Sequence, residues 1–164
     1  MKPNAPPSKV ASQRGVAVIE FALVLPLLLL VIAGLAEFGR VIWYYDALAK
    51  ATRDGARSLS LVVKSDWSDN TDRGTAITAA KTLVVSAAAA ANLPALASSN
   101  VQVQCDNGSG FAACSSTFPN YVRVAVVNYG VNLGDLFPII TVDRDAWSVT
   151  TISLQPYTVM PYMQ

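Results

Sequence analysis

The chain has 164 residues, with 12 Lys and Arg against 11 Asp and Glu for a net charge of +1, and a mean hydropathy of +0.38. So even a balance lacks the basic face or stripe of a nucleic-acid binder, and no nucleic-acid partner is expected. The absence of His removes the commonest general base, the commonest metal ligand and any Ser-His or Cys-His nucleophile, so the chain reads as neither an enzyme nor a holder of metal or cofactor.

The first fifteen residues carry Lys2, Lys9 and Arg14 and no acidic side chain. Behind them, residues 16–36 are apolar except for one carboxylate, Glu20. As a helix rising 1.5 Å per residue this run spans about 31 Å, which matches a hydrocarbon core of roughly 30 Å. The positive-inside rule keeps the basic end in the cytoplasm and sends the remainder across. Without leader and span, about 100 residues are left for one small extracytoplasmic domain.

Within the span, Pro26 frees the carbonyl of Ala22, a defect that a neighbouring helix or a local bend can satisfy; Pro26 is therefore a candidate packing position. Trp43, Tyr44 and Tyr45 follow as an aromatic cluster suited to the outer interface. A secretory signal peptide cut before Glu37, after Gly34-Leu35-Ala36, is the competing reading. The apolar run is longer than the roughly 7 to 15 residues of such peptides, and Glu20 would have no purpose there.

Glu20 asks for a counter-charge, because an ionisable group in a membrane helix costs roughly 2.5 to 3.5 kcal/mol on insertion scales for Asp, Lys or Arg. A cut after Gly15 would supply one. Val16 would become the N-terminus, one helical turn from Glu20, and its amine, titrating near 8, would be largely cationic at neutral pH. The amine could come from the same chain or from a staggered neighbour. In an uncut chain the carboxyl would instead be protonated or snorkel toward the nearby headgroups.

The wording Arg14-Gly15-Val16-Ala17-Val18-Ile19-Glu20-Phe21-Ala22-Leu23-Val24-Leu25-Pro26, continuing to Glu37-Phe38-Gly39-Arg40, resembles the TadE-like family, minor pilins or pseudopilins of the tight-adherence (Flp) pilus machinery. The resemblance implies cleavage between Gly15 and Val16 by a prepilin peptidase, with Glu20 and Phe21 completing the recognition motif. It also implies a single-pass inner-membrane protein with a periplasmic head, whose partners are other pilins or pseudopilins and the pilus assembly machinery. Its role would lie in pilus biogenesis, surface adhesion and biofilm formation. The chain beyond residue 40 carries no further motif, and its length favours a minor component over a principal Flp subunit.

Past the span, Phe38, Val41, Ile42, Tyr45, Leu48, Ala49, Thr52, Ala56 and Leu59 recur at spacings of three and four, which extends the helix to about Leu61 as an amphipathic stalk. On its other face Asp46 with Lys50, and Lys50 with Asp54, form i,i+4 pairs. The polar stretch from Ser65 to Asp72 reads as a hinge between stalk and head. A second helix is expected over 73–92, stopping at Asn92-Leu93-Pro94, with the Ala run at 87–91 read as close helix packing or as a flexible linker.

From Val101 the period changes to two, and strands are expected from 101 to 105, over 121–129 and over 146–154. Cys105 and Cys114 bracket a turn-rich segment on the translocated side. A disulfide is favoured there over zinc, because two thiolates without His fall short of four ligands. Asp143 and Asp145 around Arg144 are too few oxygens for calcium and read as a solvated strand face. Asn107-Gly108-Ser109 matches a glycosylation acceptor but reads as a turn.

The expected fold is α+β: a leader at 1–15, a transmembrane and stalk helix at 16–62, and a head at 63–164 with a second helix and a small antiparallel sheet laid on the stalk. Two functional classes compete with the pseudopilin reading. One is an uncleaved bitopic envelope protein whose head binds a partner or ligand; the other, a membrane-anchored hydrolase, would have to work with Ser and Lys alone.

Overall fold

The first helix, α1, spans Val10–Ser60 and ends within a residue of the expected position. It belongs to a computed structural model that describes residues 10–133 and 151–163, with side chains from residue 15 onward. The leader residues 1–9, the first part of the strand expected over 146–154, and Asp143, Arg144 and Asp145 lie outside the described residues.

At 1.5 Å per residue, a helix of this length reaches about 77 Å, more than twice a bilayer core. Its two halves accordingly meet different surroundings. From Gly15 to Ile32 nearly every side chain is exposed, and the most apolar window has a mean hydropathy of 2.9 with 6% of it buried. So little burial is not the pattern of a soluble core helix, and the segment is a candidate membrane span. From Ala33 onward one stripe is covered: Ala33, Glu37, Val41, Leu48, Thr52, Ala56 and Leu59 are all buried.

The periodic stripe read from the sequence therefore divides into two. Val41, Leu48, Thr52, Ala56 and Leu59 face the head, whereas Phe38, Ile42 and Tyr45 are at least half exposed on another face. The helix is apolar on more than its core side. Of the expected charge pairs, Lys50 closes on Asp46 at 2.6 Å, with both side chains largely exposed.

The stretch read as a hinge is instead folded and anchored. Lys64–Ser68 forms the short helix α2, and Asp69 caps α3, Asn70–Ala90, by accepting from the amides of Thr71 and Asp72. That cap holds the Asp69 carboxyl below its ordinary value, chiefly through the Asp72 amide and then that of Thr71. Trp67 in α2 is fully buried, tilted against the Tyr162 ring at 5.3 Å, with Nε1 donating to the Thr117 carbonyl at 3.2 Å. A fully buried Trp with its N–H satisfied holds a junction in place.

Helix α3 stops where the sequence indicated. Asn92 adopts a left-handed φ of 54°, and the amides of Asn92 and Leu93 return to the carbonyls of Ala89 and Ala88, the hydrogen-bond pair of a Schellman cap. The Ala run packs rather than linking: Ala88 is 1% exposed in the core.

The main sheet is antiparallel, in the order β2 (Phe111–Ala112), β1 (Val101–Asp106), β3 (Tyr121–Val126), β6 (Tyr157–Pro161). Val122, Val124 and Val126 point inward, fully buried, and the sheet packs on α1 through β3 and β6. The strand expected over 121–129 ends early because Asn128 turns the chain at φ 51°. The described part of the strand expected over 146–154 is β5, Thr151–Ser153. It pairs with β4, Gly130–Asn132, in a separate two-stranded sheet.

Strand β6 escaped the sequence reading. Pro156 precedes it and Pro161 ends it, and Pro argues against a strand except at a sheet edge, which is where β6 lies. The chain's end is fastened to the stalk: the Tyr162 hydroxyl donates to the Val62 carbonyl, and the Met163 amide to that of Ser60. Cys105 and Cys114 are joined in a disulfide that ties β1 to the loop beyond β2.

Candidate functional site

Gly15, Val16, Glu20 and Phe21 lie on consecutive turns of the exposed half of α1. Nothing would meet a Cβ placed on Gly15 within 4 Å, and Val16 and Phe21 are 55% and 63% exposed. Helical spacing stacks Val16 and Glu20 one turn apart on one face. Glu20 is exposed, and among the described residues it makes no hydrogen bond or ion pair. The carboxylate thus lies beside the nitrogen that a cut at Gly15 would turn into an ammonium group; in the intact chain that nitrogen is an amide inside the helix.

Pro26 lies one and a half turns further along, and α1 runs through it without interruption. Its ring and its neighbours Leu23, Leu27, Leu29 and Leu30 are exposed together. Beyond Glu20, this half of the helix offers an unbroken apolar surface. The disulfide cysteines are remote from it, in the head.

A second polar group on the same helix was not expected as a site from the sequence. Glu37 is 3% exposed and accepts two hydrogen bonds from Arg40, at 2.9 Å from Nε and 2.7 Å from Nη2. Arg40 Nη2 also donates to the Asn132 carbonyl of β4 at 2.8 Å, and its guanidinium lies 5.4 Å from the Tyr44 ring centroid. A charge-assisted fork of this kind fixes geometry as well as contributing energy. It joins the helix to the head just where side chains begin to be covered.

Behind this junction Tyr129, 5% exposed, donates its hydroxyl to the Pro94 carbonyl at 2.7 Å. Burial pushes its phenol above the ordinary tyrosine value, and the neighbouring Tyr44 adds to the rise. The signal that could have exposed the junction was present: a carboxylate closing an apolar run with an Arg three residues later is an i,i+3 pair. What the sequence could not show was that both would be covered.

The model of the TadE-like protein family matches residues 15–57. No curated protein and no solved structure matches the chain. The matched segment lies wholly within α1. It takes in Gly15, Glu20 and Pro26 on the exposed half, Glu37 and Arg40 at the junction, and Gly55 in the core. The long helix that carries these residues is therefore the TadE-like segment of this chain, residues 15–57.

Proposed function

We propose that this chain is a pilin-like, non-enzymatic component of a tight-adherence pilus system, inserted in the inner membrane with its N-terminus cytoplasmic and its head periplasmic. Prepilin peptidase cuts it after Gly15, and it then acts in pilus biogenesis and, through the pilus, in adhesion and biofilm formation. One observation carries the reading: α1 exposes an apolar half on which Glu20, among the described residues, has no partner, one turn from Val16. The family match over the same helix supports it.

Processing and assembly are coupled by charge in this reading. Removing residues 1–15 deletes the basic leader and creates an ammonium group beside Glu20, within the same subunit or in a staggered neighbour. Neutralised in this way, the helix can pack its apolar surface against others of its kind. The head stays fixed to the outer half of the helix by the Glu37, Arg40 and Asn132 contacts.

N-terminal sequencing or intact mass of protein extracted from membranes tests the proposal. A mature chain starting at Val16 supports it. A start at Met1 favours an uncleaved bitopic tether whose head binds a partner or ligand, and a start at Glu37 a secreted protein.

A further inference from the structure

Among the described residues the core is built chiefly on one face of the four-stranded sheet, and of the opposite face Ala125 is covered, at 3% exposed. The register puts Tyr121 and Arg123 of β3, Asp106 of β1, Phe111 of β2 and Tyr157 and Val159 of β6 on the opposite face. Phe111, Tyr121, Tyr157 and Val159 are 37%, 46%, 61% and 39% exposed. Three aromatic rings thus lie open to solvent around one cation.

That cation is held from both sides. Arg123 Cζ lies 5.6 Å from the ring centroid of Phe111 and 4.6 Å from that of Tyr157, and the strand order brings one ring from each side of β3. Yet Arg123 Nε is buried without a hydrogen-bond partner, and among the described residues its guanidinium makes no ion pair. The carboxylate on the same face is committed elsewhere, since Asp106 Oδ1 accepts from the amides of Gly108 and Gly110 at 2.8 and 2.9 Å.

Ring faces compensate the charge but offer no acceptor to N–H groups in the guanidinium plane. What fits that plane is a carboxylate, which takes two parallel N–H bonds from an Arg fork already ordered by stacking. Arg and Tyr are also the residue types that anchor protein interfaces. A nucleic acid is disfavoured, because one cation beside Asp106 is not a basic stripe.

We propose that the outer face of this sheet docks a partner protein through an Asp or Glu side chain set among apolar residues. Arg123 grips the carboxylate, and Phe111 and Tyr157 cover the pair from water. The proposal goes beyond the pilus reading and holds whether or not the chain is cut at Gly15.

The test uses the full chain, isotope-labelled in detergent micelles, titrated with acetyl-Leu-Glu-Leu-amide and with acetyl-Leu-Gln-Leu-amide. The Glu peptide is expected to move the Arg123 Nε–Hε resonance and the β3 amides saturably, and to bind at least about tenfold more tightly than the Gln peptide. Arg123→Lys, which keeps the charge but loses the fork, should remove most of that difference, and Tyr157→Ala should weaken the Glu peptide. Equal binding of the two peptides by the unmodified chain, or an unmoved Arg123 resonance, overturns the proposal without any variant. So does a peptide-free dimer in sedimentation that Arg123→Lys dissolves, since the occupant would then be a second copy.

Discussion

Gly55 of α1 lies so close to Val84 of α3 that a Cβ on Gly55 would sit 2.9 Å from Val84 Cγ2, with the Ala80 carbonyl oxygen at 3.4 Å and Val124 Cγ1 at 3.6 Å. Stalk helix, second helix and sheet all meet at this one position. The missing side chain is what lets them approach.

Gly55→Ala should therefore destabilise the head although Ala is the better helix former. The propensity gain is about 1 kcal/mol, while overfilling a packed core costs about 1 to 3 kcal/mol. Val84, stiff about χ1 and fully buried, has little room to yield. The net loss is expected near 1 kcal/mol for Ala and well beyond it for Gly55→Leu, where the helices must part. Thermal unfolding of the full chain in detergent, followed through Trp67, measures both; an unchanged melting temperature for Gly55→Leu would show that α1 and α3 are not held together here.

The position of α1 in the fold was legible because membrane length, stalk periodicity and helix stops are local properties of the chain. Its partition was not. Phe38, Ile42 and Tyr45 share the spacing of Val41, Leu48 and Thr52, and which of the two faces the head covers is decided by α3, β3 and β6, which all lie further along the chain. Trp67 was hidden in a polar stretch for a similar reason: seven of its neighbours read as a turn, but the Tyr162 ring that buries it comes from the other end of the chain. The disulfide and the change to strand period were visible in the residues themselves. Strand β6 was not, since its flanking prolines obey the rule for an edge strand, and edges are known only once the sheet is assembled.

Glu37→Gln should loosen the head from the helix. With side chains 4% and 15% exposed, Glu37 and Arg40 form a largely buried pair, and the charge-assisted hydrogen bonds between them contribute about 1.5 to 3 kcal/mol. Arg40→Met alone should be comparably harmful, whereas the double variant should recover part of the loss. A double-mutant cycle by thermal unfolding, with limited proteolysis of the head as a second readout, is the measurement. Additive losses would mean that the two side chains act separately.

Alkaline stability should depend on Tyr129. Burial raises its pKa, as it does that of Tyr162, so folding favours the neutral phenols. In the unfolded chain each ionises near pH 10; the stabilisation is therefore complete below about pH 10 and is lost as pH rises toward the raised folded values. Tyr129→Phe should flatten part of this decline. At neutral pH the same variant should cost about 1 kcal/mol, since the Pro94 carbonyl loses its donor. Melting temperatures of both proteins between about pH 8 and 11 test the point; parallel curves would exclude Tyr129 as a contributor.

Glu20→Ala separates processing from assembly. In the proposed reading the cut falls at the Gly15–Val16 bond, and by analogy with pilins a mature chain beginning at Val16 is still expected although Glu20 belongs to the recognition motif. The variant's new ammonium group then has no carboxylate to meet when apolar helices pack. An uncompensated cation in such surroundings costs roughly 2.5 to 3.5 kcal/mol, and each 1.4 kcal/mol is about a tenfold change in an equilibrium constant. The ratio of pilus-associated to membrane-retained protein should accordingly fall by about a hundredfold, while the head, more than two helical turns away along α1, unfolds as before. Glu20→Gln should fare little better, because an amide can accept a hydrogen bond from the amine but cannot neutralise it. Sheared-pilus and membrane fractions, quantified with N-terminal sequencing of each, give the result. Normal incorporation of the cleaved Glu20→Ala chain would mean that the carboxylate does not serve as the counter-charge.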